Sequence, residues 1–286
     1  VASRATAAQA GAWVVRPAWE VSEAAEARAA LSAALAAARS IVLGNDVPTA
    51  QASALASARR FFIANFPSGY FDAQYTQTDV TTSFALQTDT GGNFNGVLLI
   101  GATANVQAPT YFMKLFNKDN VGVSATGSVT RRNLVLMLVL DKSGSLGARQ
   151  TPVGTIPSTV TGSTNSCDAM VYVSASFIQQ FSAYDTAGMV AFDQSVYLKY
   201  APSSNFKASG ATGMTNAIAN LNCNGYTNTT GGLELAYDRI KAVDQKLAMN
   251  VIVLFTDGVP NGVNAIFPIR RQIDTRIGTA STTPAP

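Results

Sequence analysis

Residues 134–145 read Leu-Val-Leu-Met-Leu-Val-Leu-Asp-Lys-Ser-Gly-Ser, and this stretch decides the fold. Seven apolar residues, 134–140, run without a break into Asp141. An apolar run this short, closed by a polar turn, predicts a strand buried on both faces of a parallel sheet. In open α/β sheets such strands present functional groups in the crevice beyond their carboxyl ends. Asp141, Ser143 and Ser145 stand at that end, with Gly144 between the serines so that the loop can fold tightly. One carboxylate and two hydroxyls, alternating along a short loop, suit a hard divalent cation.

A second buried strand is expected at 251–255 (Val-Ile-Val-Leu-Phe), which ends in Thr256, Asp257 and Gly258. Two parallel strands with an acid at the same end can bring both acids to one ion. Between them, Tyr226-Thr227-Asn228-Thr229-Thr230-Gly231-Gly232 is a polar loop entering a helix. The order D-x-S-x-S, then T-x-T with a glycine soon after, then a T-D-G strand end resembles the von Willebrand factor type A domain and its metal-ion-dependent adhesion site. D-x-S-x-S alone is a weak signal; the three matches in order on strand-loop contexts are specific. Carried over by position, the resemblance implies Asp141, Ser143, Ser145, Thr227 and Asp257 as metal ligands, with Thr229 the residue most easily confused with Thr227. It also implies carboxylates acting partly through water. The cation, Mg2+ first with Ca2+ or Mn2+ as alternatives, then keeps an open position for a carboxylate presented by a protein partner. The plainer alternative is that Asp141 and Asp257 only cap loops by hydrogen bonding.

The chain has 286 residues, room for one large or two ordinary domains. Its 47% hydrophobic content is ample for a core, and its 13% charged content points to an extracytoplasmic chain: periplasm, cell surface or pilus. A net charge of +3 argues against nucleic acid as a partner, and the Arg59-Arg60, Arg131-Arg132 and Arg270-Arg271 pairs are scattered, without interleaved aromatics. The absence of histidine removes Ser-His-Asp and Cys-His catalysis and the usual zinc sites. No run of about 18 apolar residues offers a membrane span. The first residue is Val rather than Met, so a processed or trimmed chain is expected.

The expected fold class is α/β: a doubly wound parallel sheet over 131–286, preceded by an α+β domain over 1–130 of Ala-rich helices and a small antiparallel sheet. Residues 20–43 are Ala-rich, with Glu early and Arg late, as a helix macrodipole favours. Pro17 sets Trp13-Val14-Val15 apart as a separate helical piece. A second helix begins at Pro48-Thr49 and runs to about 65, with Leu55 and Phe62 on its buried side. Strands are expected at about 79–88, 95–107 and 121–130. Residues 109–116 read as a short helix capping the sheet with aromatics. Arg131-Arg132-Asn133 leaves almost no linker, so the geometry between the halves should be fixed.

Beyond the Asp141 loop, 147–164 is an exposed Gly/Pro/Ser/Thr-rich loop. A helix over 168–181 follows, with Met170, Val173, Phe177 and Phe181 at helical spacing. Strands at 187–192 and 196–200, helices at 216–221 and 232–243, and a central strand at 251–255 complete the alternation. The family pattern continues with further strand-helix units after T-D-G, whereas the remaining residues hold only a helix over 267–277 and a disordered tail over 279–286. The sheet is therefore truncated, completed by another molecule, or the chain is a fragment. Cys167 and Cys223, the only cysteines, flank the metal loop and the threonine loop. A disulfide between them would stiffen the site by about 4 kcal/mol on chain-entropy grounds; two buried free thiols are the alternative.

An enzyme reading fails on one residue. Magnesium phosphotransferases of the haloacid dehalogenase type use D-x-D, and Ser143 stands where their proton-donating acid would be. No phosphate-binding Gly-rich loop with Lys-Ser/Thr is present. The N-terminal half, with Ala-Ala-Ala-Arg ending its helix, Pro-Thr-Tyr-Phe-Met-Lys-Leu-Phe and then Val-Ser-Ala-Thr, looks like bacterial tight-adherence (Tad/Flp-type) pilus assembly proteins that carry a type A domain. That resemblance implies pilus components as partners, with membrane anchoring only through a segment outside this chain and a homo-oligomer allowed. It leaves two roles: metal-dependent adhesion, or a structural pilus subunit or assembly factor in which the metal only stabilises the fold.

Overall fold

The computed structural model describes residues 18–110, 113–258 and 261, with two-residue strands at 275–276 and 279–280. Helices α1 (Ala18–Ser40) and α2 (Val47–Asn65) lead into strands β1 (Val80–Thr88), β2 (Phe94–Pro109) and β3 (Asn120–Arg132), an antiparallel meander in the order β1-β2-β3. Period-two burial explains the packing: Leu98, Ile100, Ala102, Ala104 and Val106 of β2 turn one face toward the helices. The helices answer with small residues, Ala29, Ala33 and Ala37 from α1 and Ala50, Ala54 and Ala58 from α2, closed by Phe62 and Phe66. α2 starts on Asp46, whose side chain accepts from Thr49 N at 2.8 Å, followed by proline in the first turn. Leu55 is only half-buried; Phe62 is fully buried.

Asn133 alone separates β3 from β4 (Leu134–Asp141). Then follow α3 (Ser166–Ile178), β5 (Thr186–Phe192), β6 (Val196–Ser203), α4 (Met214–Ala219), α5 (Thr229–Val243) and β7 (Met249–Phe255). The sheet order is β6-β5-β4-β7; β4 lies parallel to β5 and β7, and β6 runs antiparallel at one edge. Every residue of β4 and β5 is buried. Even-numbered Leu134, Leu136, Leu138 and Leu140 meet Val171, Ile178 and Ile218 of α3 and α4. Odd-numbered Val135, Met137 and Val139 meet Ala236 and Ile240 of α5. Helices thus cover both faces, as an α/β fold requires.

The two halves are bolted together at the amino end of the β4 sheet. Asp185, 1% exposed, accepts from Leu134 N at 2.9 Å and Ser182 N at 2.8 Å and pairs with Arg131 at 2.9 Å. Arg132 Nε donates to Leu247 O at 2.7 Å, and Gln51 Nε2 donates to the Tyr184 hydroxyl at 2.7 Å. Lys207, buried and without a carboxylate in contact among the described residues, donates to Gly44 O at 3.2 Å and Gln179 O at 3.0 Å. Desolvation therefore lowers its pKa, against a smaller raising effect of the Asp185 charge.

Four expectations change. The expected helix over 109–116 is shorter: β2 extends through Pro109, the helical turn is Met113–Phe116 with Leu115 and Phe116 exposed, and Tyr111 and Phe112 lie outside the described residues. α3 ends at Ile178 rather than 181, and on it Val173 faces out, whereas Met170 is buried with Cys167, Val171, Ala175 and Ile178, and Phe177 and Phe181 pack against that core. The 251–255 strand is neither central nor buried: among the described residues β7 has a strand partner only in β4, and its residues are half-buried or exposed. Thr275–Arg276 pairs antiparallel with Thr279–Ala280, where the end of a helix and the start of a disordered tail were expected. The rest of the 267–277 helix, the rest of that tail and the Trp13 segment lie outside the described residues. Among the described residues no helix is long and apolar enough to cross a membrane.

Candidate functional site

Leu140 of β4 pairs with Phe255 of β7, so Asp141 and the Thr256-Asp257 pair leave the sheet side by side at its carboxyl end. Asp141 is fully buried. Its Oδ1 accepts from Ser143 N at 2.8 Å, which turns the loop back over the strand, and its Oδ2 accepts from the Thr256 hydroxyl at 2.6 Å. The Ser145 hydroxyl donates to Asp257 Oδ1 at 2.9 Å. Its single hydrogen is then used, so the 2.9 Å contact between the two serine oxygens is donated by Ser143. Ser143, Ser145 and Asp257 thus form one line of oxygens.

Thr227 reaches the same place from the other loop. A methyl group at the Cβ position of Gly258 would lie 3.5 Å from Ser145 Oγ and 3.9 Å from Thr227 Oγ1. Thr227 is held by Asn261: Thr227 N donates to its side-chain oxygen at 2.8 Å, and Asn261 N donates to Thr227 O at 3.2 Å. The neighbouring Thr229 opens α5, where Asn228 caps by accepting from Gly231 N at 3.1 Å. No hydrogen bond joins Thr229 to Asp141, Ser143, Ser145 or Asp257, and its buried hydroxyl has no partner among the described residues.

The loops hold one another beyond the strand ends. Lys142 N donates to Phe192 O at 2.8 Å, Asn224 N to Lys142 O at 2.6 Å, and Gly144 N to Gly225 O at 2.9 Å. Gly225 has φ +91°, and a Cβ there would lie 2.0 Å from Gln194 Oε1, which accepts from Tyr226 N at 3.1 Å. Only glycine satisfies both the backbone angle and that approach.

Cys167 and Cys223 form a disulfide, Cα to Cα 6.2 Å, tying the start of α3 to the loop ahead of Thr227. Beside it, Arg149 and Asp168 pair at 3.0 Å with side chains 2% and 1% exposed. Asp168 also accepts from the Thr151 hydroxyl at 2.5 Å, Gln150 N at 2.7 Å and Thr151 N at 3.1 Å, and Arg149 Nη1 donates to Ala219 O at 2.5 Å. Burial works to raise the Asp168 pKa, but the bonds from Thr151, Gln150 and Arg149 outweigh it and hold the carboxyl below its usual 3.8.

Two acids therefore stand in one crevice, one fully buried, and among the described residues no lysine or arginine pairs with either. A buried carboxylate bonded only by neutral donors is costly, and a cation would relieve it. The described residues hold no cluster of three or more His, Cys, Asp or Glu. In this set three of the five side chains are instead hydroxyls, a composition that suits Mg2+. Thr256 and Asn261, which orient Asp141 and Thr227, were not assigned a role from sequence. Thr256 sits inside the T-D-G signal; nothing near Asn261 marks it.

Residues 136–259 match the family model described as the von Willebrand factor type A domain, and that span contains all five candidate residues. No curated protein matches the chain. Similar solved structures include the PilB minor pilin from Streptococcus sanguinis, 21% identical over 64% of this chain and 48% of that one, with a TM-score of 0.33. Its D319A mutant gives 20% identity, the same coverages and a TM-score of 0.34. The three N-terminal domains of the type V pili tip protein Mfa5 from Porphyromonas gingivalis are 13% identical over 66% of this chain and 28% of that one, with a TM-score of 0.37. The chain thus spans less than half the length of each.

Proposed function

We propose that this protein is a metal-dependent protein-binding module, in which a divalent cation held by Asp141, Ser143, Ser145, Thr227 and Asp257 joins it to a carboxylate of a partner. The observation that carries the reading is the convergence of two acids and three hydroxyls at the carboxyl ends of β4 and β7, within the span that matches the type A domain. Three of the five donors are neutral, so a bound Mg2+ stays electrophilic and keeps room for an outside oxygen. The residues do no covalent chemistry: they orient the ion, and the surrounding loops choose the partner. We place the module outside the cytoplasm, on a pilus or a pilus-assembly protein, from the resemblance of the N-terminal half to tight-adherence proteins.

Asp141→Ala is expected to abolish Mg2+ or Mn2+ binding by calorimetry while circular dichroism stays near native. Unchanged binding would reject the ligand assignment. An Asp257→Ala strain that loses surface binding with normal pilus numbers supports adhesion; one that loses pili supports the structural or assembly role.

A further inference from the structure

A cleft of about 280 Å³ opens beside the candidate cation position, lined among others by Lys142, Asp193, Gln194, Lys199, Asn222 and Asn224. Lys142 lies between Asp141 and Ser143 in sequence, but its side chain leaves them: its ammonium pairs with Asp193 and sits 4.9 Å from the Tyr197 ring centre. Lys199 sits 4.8 Å from the same ring centre, and among the described residues it has no acidic partner. Two ammonium groups share one aromatic ring against a single carboxylate, so the cleft carries a surplus positive charge. Asn224 spends its carbonyl oxygen on Gly225 N at 2.8 Å, which leaves its amide hydrogens as donors. The wall between cleft and cation position is Gly225, whose carbonyl accepts from Gly144 of the serine loop.

We infer that this cleft is a second anionic subsite, taking another acidic side chain of the same protein segment whose first carboxylate meets the cation. The inference rests on the cation reading above and names the partner's chemistry more closely: an extended segment with two acids on one face. Residues two apart in an extended chain lie on the same face about 7 Å apart, which lets one segment address both sides of the Gly225 wall. The surplus charge of the two lysines calls for an anion, so the occupant is an acidic peptide rather than a neutral glycan.

The test uses the full chain loaded with Mn2+ and two blocked pentapeptides, one with a single glutamate and one with two glutamates two residues apart, titrated by NMR. The two-glutamate peptide should bind about fivefold tighter, a twofold statistical factor times about 2.5-fold for an exposed ion pair. Lys199→Gln, an exposed residue outside the cation set, should cut that to about twofold, the statistical factor, without changing the one-glutamate affinity. A fivefold preference that survives Lys199→Gln, no preference beyond the statistical twofold in the native protein, or no binding of either peptide overturns the subsite. A chelator separates the two readings. If it abolishes both peptides while Lys199→Gln changes nothing, the cation reading stands and the subsite falls. If two-glutamate binding and its Lys199 dependence survive chelation, the subsite stands and the cation reading falls.

Discussion

The Thr256 hydroxyl donates to Asp141 Oδ2 at 2.6 Å, joining the ends of β7 and β4 across 115 residues of sequence. With Ser143 N on the other oxygen, the Asp141 carboxylate is fixed in rotation while lone pairs on both oxygens stay available. Partners that orient a ligand typically cost ten- to a hundredfold in metal affinity when removed. Thr256→Val should therefore weaken Mn2+ binding about tenfold at a nearly unchanged unfolding midpoint, and Thr256→Ser should recover most of it. Equal Mn2+ affinity in Thr256→Val and the native protein, by calorimetry, would show that the carboxylate needs no such support.

The Cys167–Cys223 bond closes a 56-residue separation between two buried positions. A cross-link of that span removes much of the unfolded chain's freedom. Replacing both cysteines by alanine should lower unfolding free energy by about 2–4 kcal/mol in urea titrations. Reductant should lower the native midpoint and leave that of the double variant where it was.

The 134–140 run announces its burial because both of its faces are covered, the even residues by α3 and α4 and the odd residues by α5. The 251–255 run has a similar composition, yet β7 is the edge of the described sheet and none of its residues is buried. An apolar run by itself does not separate a strand covered on both faces from an edge strand whose side chains stay partly in solvent. On α3 the helical spacing of Met170 and Phe177 does lead to the core, and only Val173 turns out to solvent. Spacing alone does not fix how far a buried stripe extends around the helix. The five oxygen-bearing residues could be assembled from local signals at three loop starts. Thr256 and Asn261 act by orienting groups far away in sequence, and only the packed strands and loops bring them into reach.

Acid should expose the Arg149–Asp168 pair. The Asp168 carboxyl has a folded pKa below its unfolded 3.8, so its contribution is fully present above that value and is lost as pH falls through the lower folded value. Asp168→Asn leaves the Arg149 guanidinium, 2% exposed, without its countercharge. At pH 7 this should cost about 3–5 kcal/mol. The gap between native and variant should narrow as the medium is acidified below pH 4, measured by urea titration at a series of pH values. A gap that stays constant into acid would mean that the stability lost in the variant comes from packing rather than charge.

Gly127 on β3 is where α1 comes down onto the sheet. A Cβ there would lie 2.4 Å from both Leu31 N and Leu31 Cα, backbone atoms that cannot rotate away. Gly127→Ala should therefore push the helix off the strand and cost about 2–3 kcal/mol. Gly122, on the same strand, is the control: its Cβ would meet only the Gln107 side chain at 3.4 Å, in an exposed position. Gly122→Ala should stay within about 0.5 kcal/mol of native. Because the N-terminal layer joins the second sheet through Asp185 and Asn133 at the end away from Asp141, Mn2+ affinity should be unchanged in both variants. Loss of affinity in a still-folded Gly127→Ala protein would show that the helical layer reaches the cation position through the sheet rather than merely supporting it.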